Sequence, residues 1–202
     1  TGLLIAVTVP HNCGKCYNME ETEGTNEKSS LYRTGTEKKY YQFMRRLWEL
    51  TSKTNNQLKV REFESVCGLI YGDQRLAKTD MNHPYAILNI DYLGNFSTFD
   101  PELLSVDIKP YGKFILGNVL TDSLESVCEG EKFQKIYQDM TAGVNNCRKT
   151  CEYFGVCGGG AGSNKYWENG TFNSIETQAC RYRTKIVTDV VLEALEDSFG
   201  IN

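Results

Sequence analysis

Cys147–Arg181 reads CRKTCEYFGVCGGGAGSNKYWENGTFNSIETQACR, and the rest of the chain takes its meaning from this stretch. Cys147-x3-Cys151-x5-Cys157 is followed by Cys180, among many glycines and with no regular period. Thiolates are soft ligands suited to zinc or to iron–sulfur clusters. A cubane [4Fe–4S] cluster needs four of them, often three close in sequence and one distant. Gly158-Gly159-Gly160 follows Cys157 directly. Residues without Cβ let backbone N–H groups approach cluster sulfurs and adopt unusual φ angles. A zinc knot held by four cysteines competes with this reading, although zinc sites usually use Cys-x2–4-Cys pairs and the second spacing here is five. Thiols without any metal are the third reading. Residues 141–180 hold few large apolar side chains, so the expectation is a loop ordered by its ligand rather than by burial.

Outward from that stretch, the chain has 202 residues, 40% hydrophobic and 24% charged, with eight cysteines. The length gives one domain or two small ones with a real core, and the composition is that of a globular chain. The cysteines are too few for a disulfide-dense secreted scaffold. Thr1–Val9 lacks the basic n-region and small-residue cleavage site of a signal peptide. The expectation is a cytoplasmic protein whose clustered cysteines bind metal or do redox chemistry. A net charge of −4 argues against nucleic acid or an anionic membrane as partner. No apolar run approaches the roughly 18 residues of a membrane span.

Leu3–Val9 (LLIAVTV) is a continuous apolar run that reads as a strand of a parallel sheet. Residues 11–37 read as a polar loop. Glu37–Lys53 reads as a helix, with Tyr40, Phe43, Met44, Leu47 and Leu50 at three- and four-residue steps. Arg61–Tyr71 reads as a shorter one. From Pro84 the texture changes: Ala86–Ile90, the turn Asp91–Asn95 and Phe96–Phe99 predict a β-hairpin with Gly94 in its turn. A helix is expected around Leu124–Met140 and an amphipathic one over Arg183–Phe199. The boundary between the two halves falls near residue 83.

Around the cysteines the sequence resembles a known family. CEYFGVCGGGAGSNKYWENGTF (Cys151–Phe172) and ETQACR (Glu176–Arg181) are similar to the C-terminal SPASM domain of radical SAM peptide maturases. The subgroup it most resembles makes cyclophane crosslinks in Gly-rich-repeat precursor peptides. NMEETEG (Asn18–Gly24), REFE (Arg61–Glu64), FDPELL (Phe99–Leu104) and GNVLTDSL (Gly117–Leu124) agree in the same order, so the resemblance spans nearly the whole chain.

The resemblance implies an α+β chain. Residues 1–83 would be the last strand and helices of a partial (β/α) radical SAM barrel, and 84–202 a SPASM-type domain with hairpin, Cys-rich loop and C-terminal helix. It implies one auxiliary [4Fe–4S] cluster on Cys147, Cys151, Cys157 and Cys180. Two cysteines of the full family pattern are replaced here, by Phe99 and Ala161. The C-x3-C-x2-C triad that holds the catalytic cluster is absent from this sequence. S-adenosylmethionine therefore belongs with an N-terminal half, which this chain would complete as a truncation or as a separate partner chain. The substrate implied is a ribosomally made precursor peptide. A standalone peptide-binding module, stabilised by iron–sulfur or zinc and without catalysis of its own, is the alternative.

Further residues carry expectations. Glu20, Glu21 and Glu23 follow the presumed barrel strand, where carboxylates often face an active site. They and Arg61-Glu62 stand as SAM- or substrate-side residues, or as solvated charges. Gly158, Gly159, Asn164 and Lys165 are placed to tune the cluster through hydrogen bonds. Cys13 and Cys16, with His11, would form a second metal site with Cys67 and Cys128, or remain plain thiols.

Overall fold

The computed structural model describes residues 3–5, 33–54 and 57–201, the first three as backbone only. These residues form two compact units. One is built from chain before residue 77 and after residue 177, the other from residues 77–177.

In the first unit, β1 (Leu3–Ile5) pairs in parallel with β2 (Leu58–Val60), Leu3 opposite Leu58 and Ile5 opposite Val60. A parallel partner suits an unalternating apolar run. β2 escapes a sequence reading because three residues are too few to show a period. Helices α1 (Thr36–Thr51) and α2 (Arg61–Tyr71) form where the apolar spacing places them, α1 ending in a tighter turn over Ser52–Thr54. The C-terminal helix is longer than its apolar stripe suggests. Three segments follow one another without a gap: a short helix Gln178–Cys180, a π-helical stretch Arg181–Ile186 and a longer helix Val187–Phe199. The first and last of these are α7 and α8. The wide π turn re-phases the helix, so that Tyr182 and Ile186 are buried along with Val187, Val190 and Val191. α8 lies against both α1 and α2. Met44, Val60, Phe63, Val66 and Ala179 complete the buried apolar set, with Trp48 edge-on to Phe63 at 5.1 Å. Arg45 pairs with Glu193 and Asp197 on the surface, where such pairs contribute at most about 1 kcal/mol.

The second unit opens with the expected hairpin, β3 (Leu88–Ile90) and β4 (Asn95–Thr98). Its turn is held by one carboxylate oxygen of Asp91, which accepts the N–H groups of Leu93 and Asn95, each at 2.9 Å. A small second hairpin, β5 (Asp107–Ile108) and β6 (Gly112–Lys113), leads to β7 (Gly117–Asn118), which pairs with β4. The helix expected over 124–140 is two helices, α3 (Leu124–Glu129) and α4 (Glu131–Thr150), separated by Gly130 in extended backbone. α5 (Phe154–Cys157) and α6 (Gly162–Asn169) follow.

Residues 141–180 are thus largely helical, which corrects the expectation of a ligand-ordered loop. Burial also orders them. Phe172 is fully buried in one cluster with Phe99, Leu103, Ile108, Phe114, Phe133, Ile136 and Met140, and Tyr166 and Trp167 pack against it. Cysteines and glycines interrupt the apolar period in this stretch, so a periodicity reading loses the helices. Among the described residues the structure mixes helices with small sheets, no strands close into a barrel, and no helix is long and apolar enough to cross a membrane.

Candidate functional site

Cys147 lies in the last turn of α4 and Cys151 caps that helix, donating its N–H to the Cys147 carbonyl at 2.9 Å. Residues four apart on a helix stand one turn above each other on one face. The x3 spacing is therefore the natural one at a helix end. α5 turns the chain back: the Cys157 N–H donates to the Tyr153 carbonyl at 3.0 Å, and Gly158 closes the helix by donating to Phe154 at 2.7 Å. Gly158 takes φ 62, and a Cβ there would come 2.8 Å from the Lys78 carbonyl carbon. Gly159 takes φ 94, and a Cβ there would come 3.0 Å from both γ-carbons of Val144. Both positions require glycine on conformation and on space alike.

Cys147, Cys151 and Cys157 are half-buried and form no disulfide. Burial pushes the Cys147 thiol up, the Lys165 ammonium pulls it back, and the charges of Cys157 and Cys151 push it up further. Lys165, on α6, is itself buried and places Nζ 3.5 Å from Cys147 Sγ. Asn164 precedes it, half-buried.

The segment before β3 clamps the glycine loop. Asn82 Nδ2 donates to the carbonyls of Gly158 and Gly160 at 2.9 and 3.1 Å, and Thr79 Oγ1 donates to Gly160 at 3.2 Å. Arg148 reaches the Ala77 carbonyl at 3.1 Å. Thr79 and Asn82 carry no mark in a reading for metal ligands. The available signal is Thr-x-x-Asn, a helix-start pattern, and the two residues do form a reciprocal capping box around the turn Asp80–Asn82.

Among the described residues, no three Cys, His, Asp or Glu side chains stand in ligating reach of one metal ion. The chemistry of the donor set nevertheless fits a thiophilic group. Three neighbouring thiols share one unit, a buried ammonium stands beside the first, and the N–H of buried Gly159 has no protein acceptor among the described residues. A buried N–H without an acceptor is costly, and a thiolate or cluster sulfur is the acceptor this neighbourhood can offer.

The remaining candidates lie elsewhere. Cys180 ends α7 in the first unit, half-buried. Cys67 is on α2, where burial raises its thiol. Cys128 is on α3, against the aromatic core of its unit. Arg61 and Glu62 stand where β2 passes into α2, at the carboxyl end of a parallel strand, paired at 2.9 Å with the Arg61 side chain 51% exposed and that of Glu62 6%. Burial, with the Glu62 charge second, pushes Tyr40 up to about 12. His11, Cys13, Cys16, Glu20, Glu21 and Glu23 lie outside the described residues.

No protein-family model matches the chain. It is similar to the uncharacterized protein sll1766 of Synechocystis sp., 62% identical over 185 residues, which is 92% of this chain and 46% of that protein. Its fold is similar to part of anSMEcpe. For anSMEcpe with bound AdoMet the TM-score is 0.57 at 17% identity, covering 87% of this chain and 45% of that one. For anSMEcpe with bound AdoMet and Kp18Cys peptide it is 0.57 at 16% identity, covering 89% and 47%. For the complex with Cp18Cys peptide it is 0.55 at 16% identity, covering 82% and 44%. The chain thus spans about half the length of the proteins it matches.

Proposed function

We propose that the chain is the SPASM-bearing portion of a radical SAM peptide maturase, in which residues 1–83 correspond to the end of the barrel and 84–202 to the auxiliary-cluster domain. In this reading Cys147, Cys151, Cys157 and Cys180 hold one auxiliary [4Fe–4S] cluster. The observation that carries it is the gathering of Cys147, Cys151 and Cys157 around a helix end and a glycine loop. A fold similar to part of anSMEcpe supports it.

A four-thiolate cluster, when bound, supplies one-electron transfer without an open iron for substrate. The chain's own residues would do the rest. Lys165 offsets thiolate charge at Cys147. The glycines bring backbone N–H groups to the sulfurs. Arg61 and Glu62 offer a charged pair to a polar group of SAM or peptide. The substrate in this reading is a ribosomally made precursor peptide, crosslinked from an aromatic ring carbon to a β-carbon of a nearby residue. S-adenosylmethionine and the hydrogen-abstracting step belong to the part of the protein that carries C-x3-C-x2-C.

The test is metal content. Anaerobically purified chain is expected to be brown and to hold about four irons and four sulfides. It is also expected to yield no 5′-deoxyadenosine from SAM on its own. One tightly held zinc in a colourless protein would establish the zinc form of the alternative, a peptide-binding module without catalysis. Turnover of SAM by this chain alone would sink the assignment of the catalytic cluster to another segment.

A further inference from the structure

We infer that Asn82 is a positioning residue of the thiol site: it turns the backbone N–H groups of Gly159 and Ala161 toward sulfur. The inference rests on the iron–sulfur reading above. Asn82 uses every hydrogen-bonding direction of its amide but one. Oδ1 accepts the Thr79 N–H at 3.0 Å, and Nδ2 donates to the Gly158 and Gly160 carbonyls at 2.9 and 3.1 Å. Two carbonyls of one loop are thereby pointed at a single side-chain nitrogen.

A trans peptide carries its N–H opposite to its carbonyl, and the peptides 158–159 and 160–161 are both trans. With the Gly158 and Gly160 carbonyls drawn to Asn82, the Gly159 and Ala161 N–H groups face away from it. Neither has a protein acceptor among the described residues. Sulfur lies close to this loop: Cys157 Sγ is 3.7 Å from where a Cβ on Gly160 would stand. Peptide N–H groups aimed at cluster sulfurs stabilise the more negative, reduced state and raise the reduction potential. Glycine supplies the φ values, and Asn82 selects which way the peptide planes face.

The test compares wild type with Asn82→Ala, both purified anaerobically as the full chain. Three quantities are read: iron per chain, the midpoint potential and electron paramagnetic resonance of the reduced cluster, and hydrogen exchange across residues 153–162. The expected result is unchanged iron, a more negative midpoint, an altered resonance, and exchange in the loop about tenfold faster, the equivalent of about one hydrogen bond lost. Asn82→Asp keeps the acceptor for Thr79 and removes both donors, so it is expected to behave like the alanine variant even if Asn82→Ala folds poorly. Wild-type potential in the variants overturns the inference, even with faster exchange, because a purely structural clamp would move exchange alone. Iron-free wild type would instead sink the iron–sulfur reading. In that case wild-type exchange in Asn82→Ala overturns the clamp as well.

Discussion

The ammonium of Lys165 stands 3.5 Å from the sulfur of Cys147, on a residue only 4% exposed to solvent. A neutral thiol compensates a buried cation poorly, whereas a thiolate or a cluster sulfide compensates it well. Lys165→Met keeps the stem and removes the charge. In the metal-free chain it is expected to raise stability by roughly 1–3 kcal/mol in urea titrations. In the iron-loaded chain it is expected to speed iron loss to a chelator. Equal effects in both forms would show that the lysine is there for packing.

The four cysteines of the proposed cluster separate from the others by iron content. Alanine at Cys147, Cys151, Cys157 or Cys180 removes a ligand and is expected to cost iron and soluble yield. Cys67→Ala and Cys128→Ala remove half-buried thiols and are expected to cost about 1 kcal/mol or less, with iron retained. Iron that survives Cys180→Ala but collapses on Cys13→Ala would transfer ligation to the N-terminal pair.

Two helical glycines respond to alanine with opposite signs. Gly68 lies mid-way along α2, and a Cβ added there would meet nothing within 4 Å. Gly68→Ala is expected to stabilise by about 0.5–1 kcal/mol through helix propensity. Gly143 lies on α4 where a Cβ would overlap the Phe172 carbonyl. Gly143→Ala carries the same propensity gain, but overpacking against backbone costs about 1–3 kcal/mol or more, so a net loss is expected. Thermal melts of the two variants decide the signs.

Tyr40 buries its hydroxyl without a hydrogen-bond partner among the described residues. Its titration stands at about 12 against an ordinary 10.0, raised first by burial and then by Glu62. A raised value means the folded chain holds the proton more tightly. The stabilisation is complete below pH 10 and is lost as pH climbs toward 12. Tyr40→Phe is expected to leave stability unchanged or raise it by up to about 1 kcal/mol at neutral pH. It is also expected to flatten the decline between pH 10 and 12 in denaturant titrations. A steeper decline in the variant would contradict this account.

Elements with a clear period are legible in the sequence. α2 begins and ends at the residues its apolar face marks, and the β3–β4 hairpin turns where Asp91 and Gly94 stand. The helices around the thiols are not legible, because α5 and α6 are too short to show an apolar period and cysteines and glycines stand in and between them. β2 is invisible because its evidence lies in a partner far away in sequence, Leu3 opposite Leu58. At the candidate site the proposed ligands announce themselves by residue type. Asn82 and Thr79 do not, since their role depends on which carbonyls they meet. The burial of Glu62 beside exposed Arg61 likewise emerges only from the fold.

The first unit draws its helices from both sides of the second: α1 and α2 precede residues 77–177, and α8, which lies against them, follows. On the ribosome this imposes an order of assembly. Residues 77–177 can complete their own core while synthesis continues. The apolar faces of α1 and α2, with Phe63 and Val66 among them, wait until α8 emerges roughly 115 residues after Tyr71, a delay on the order of 10 s at ordinary elongation rates. The nascent chain therefore presents a sticky helical pair for seconds, and its yield in cells should depend on chaperones that hold such surfaces during translation.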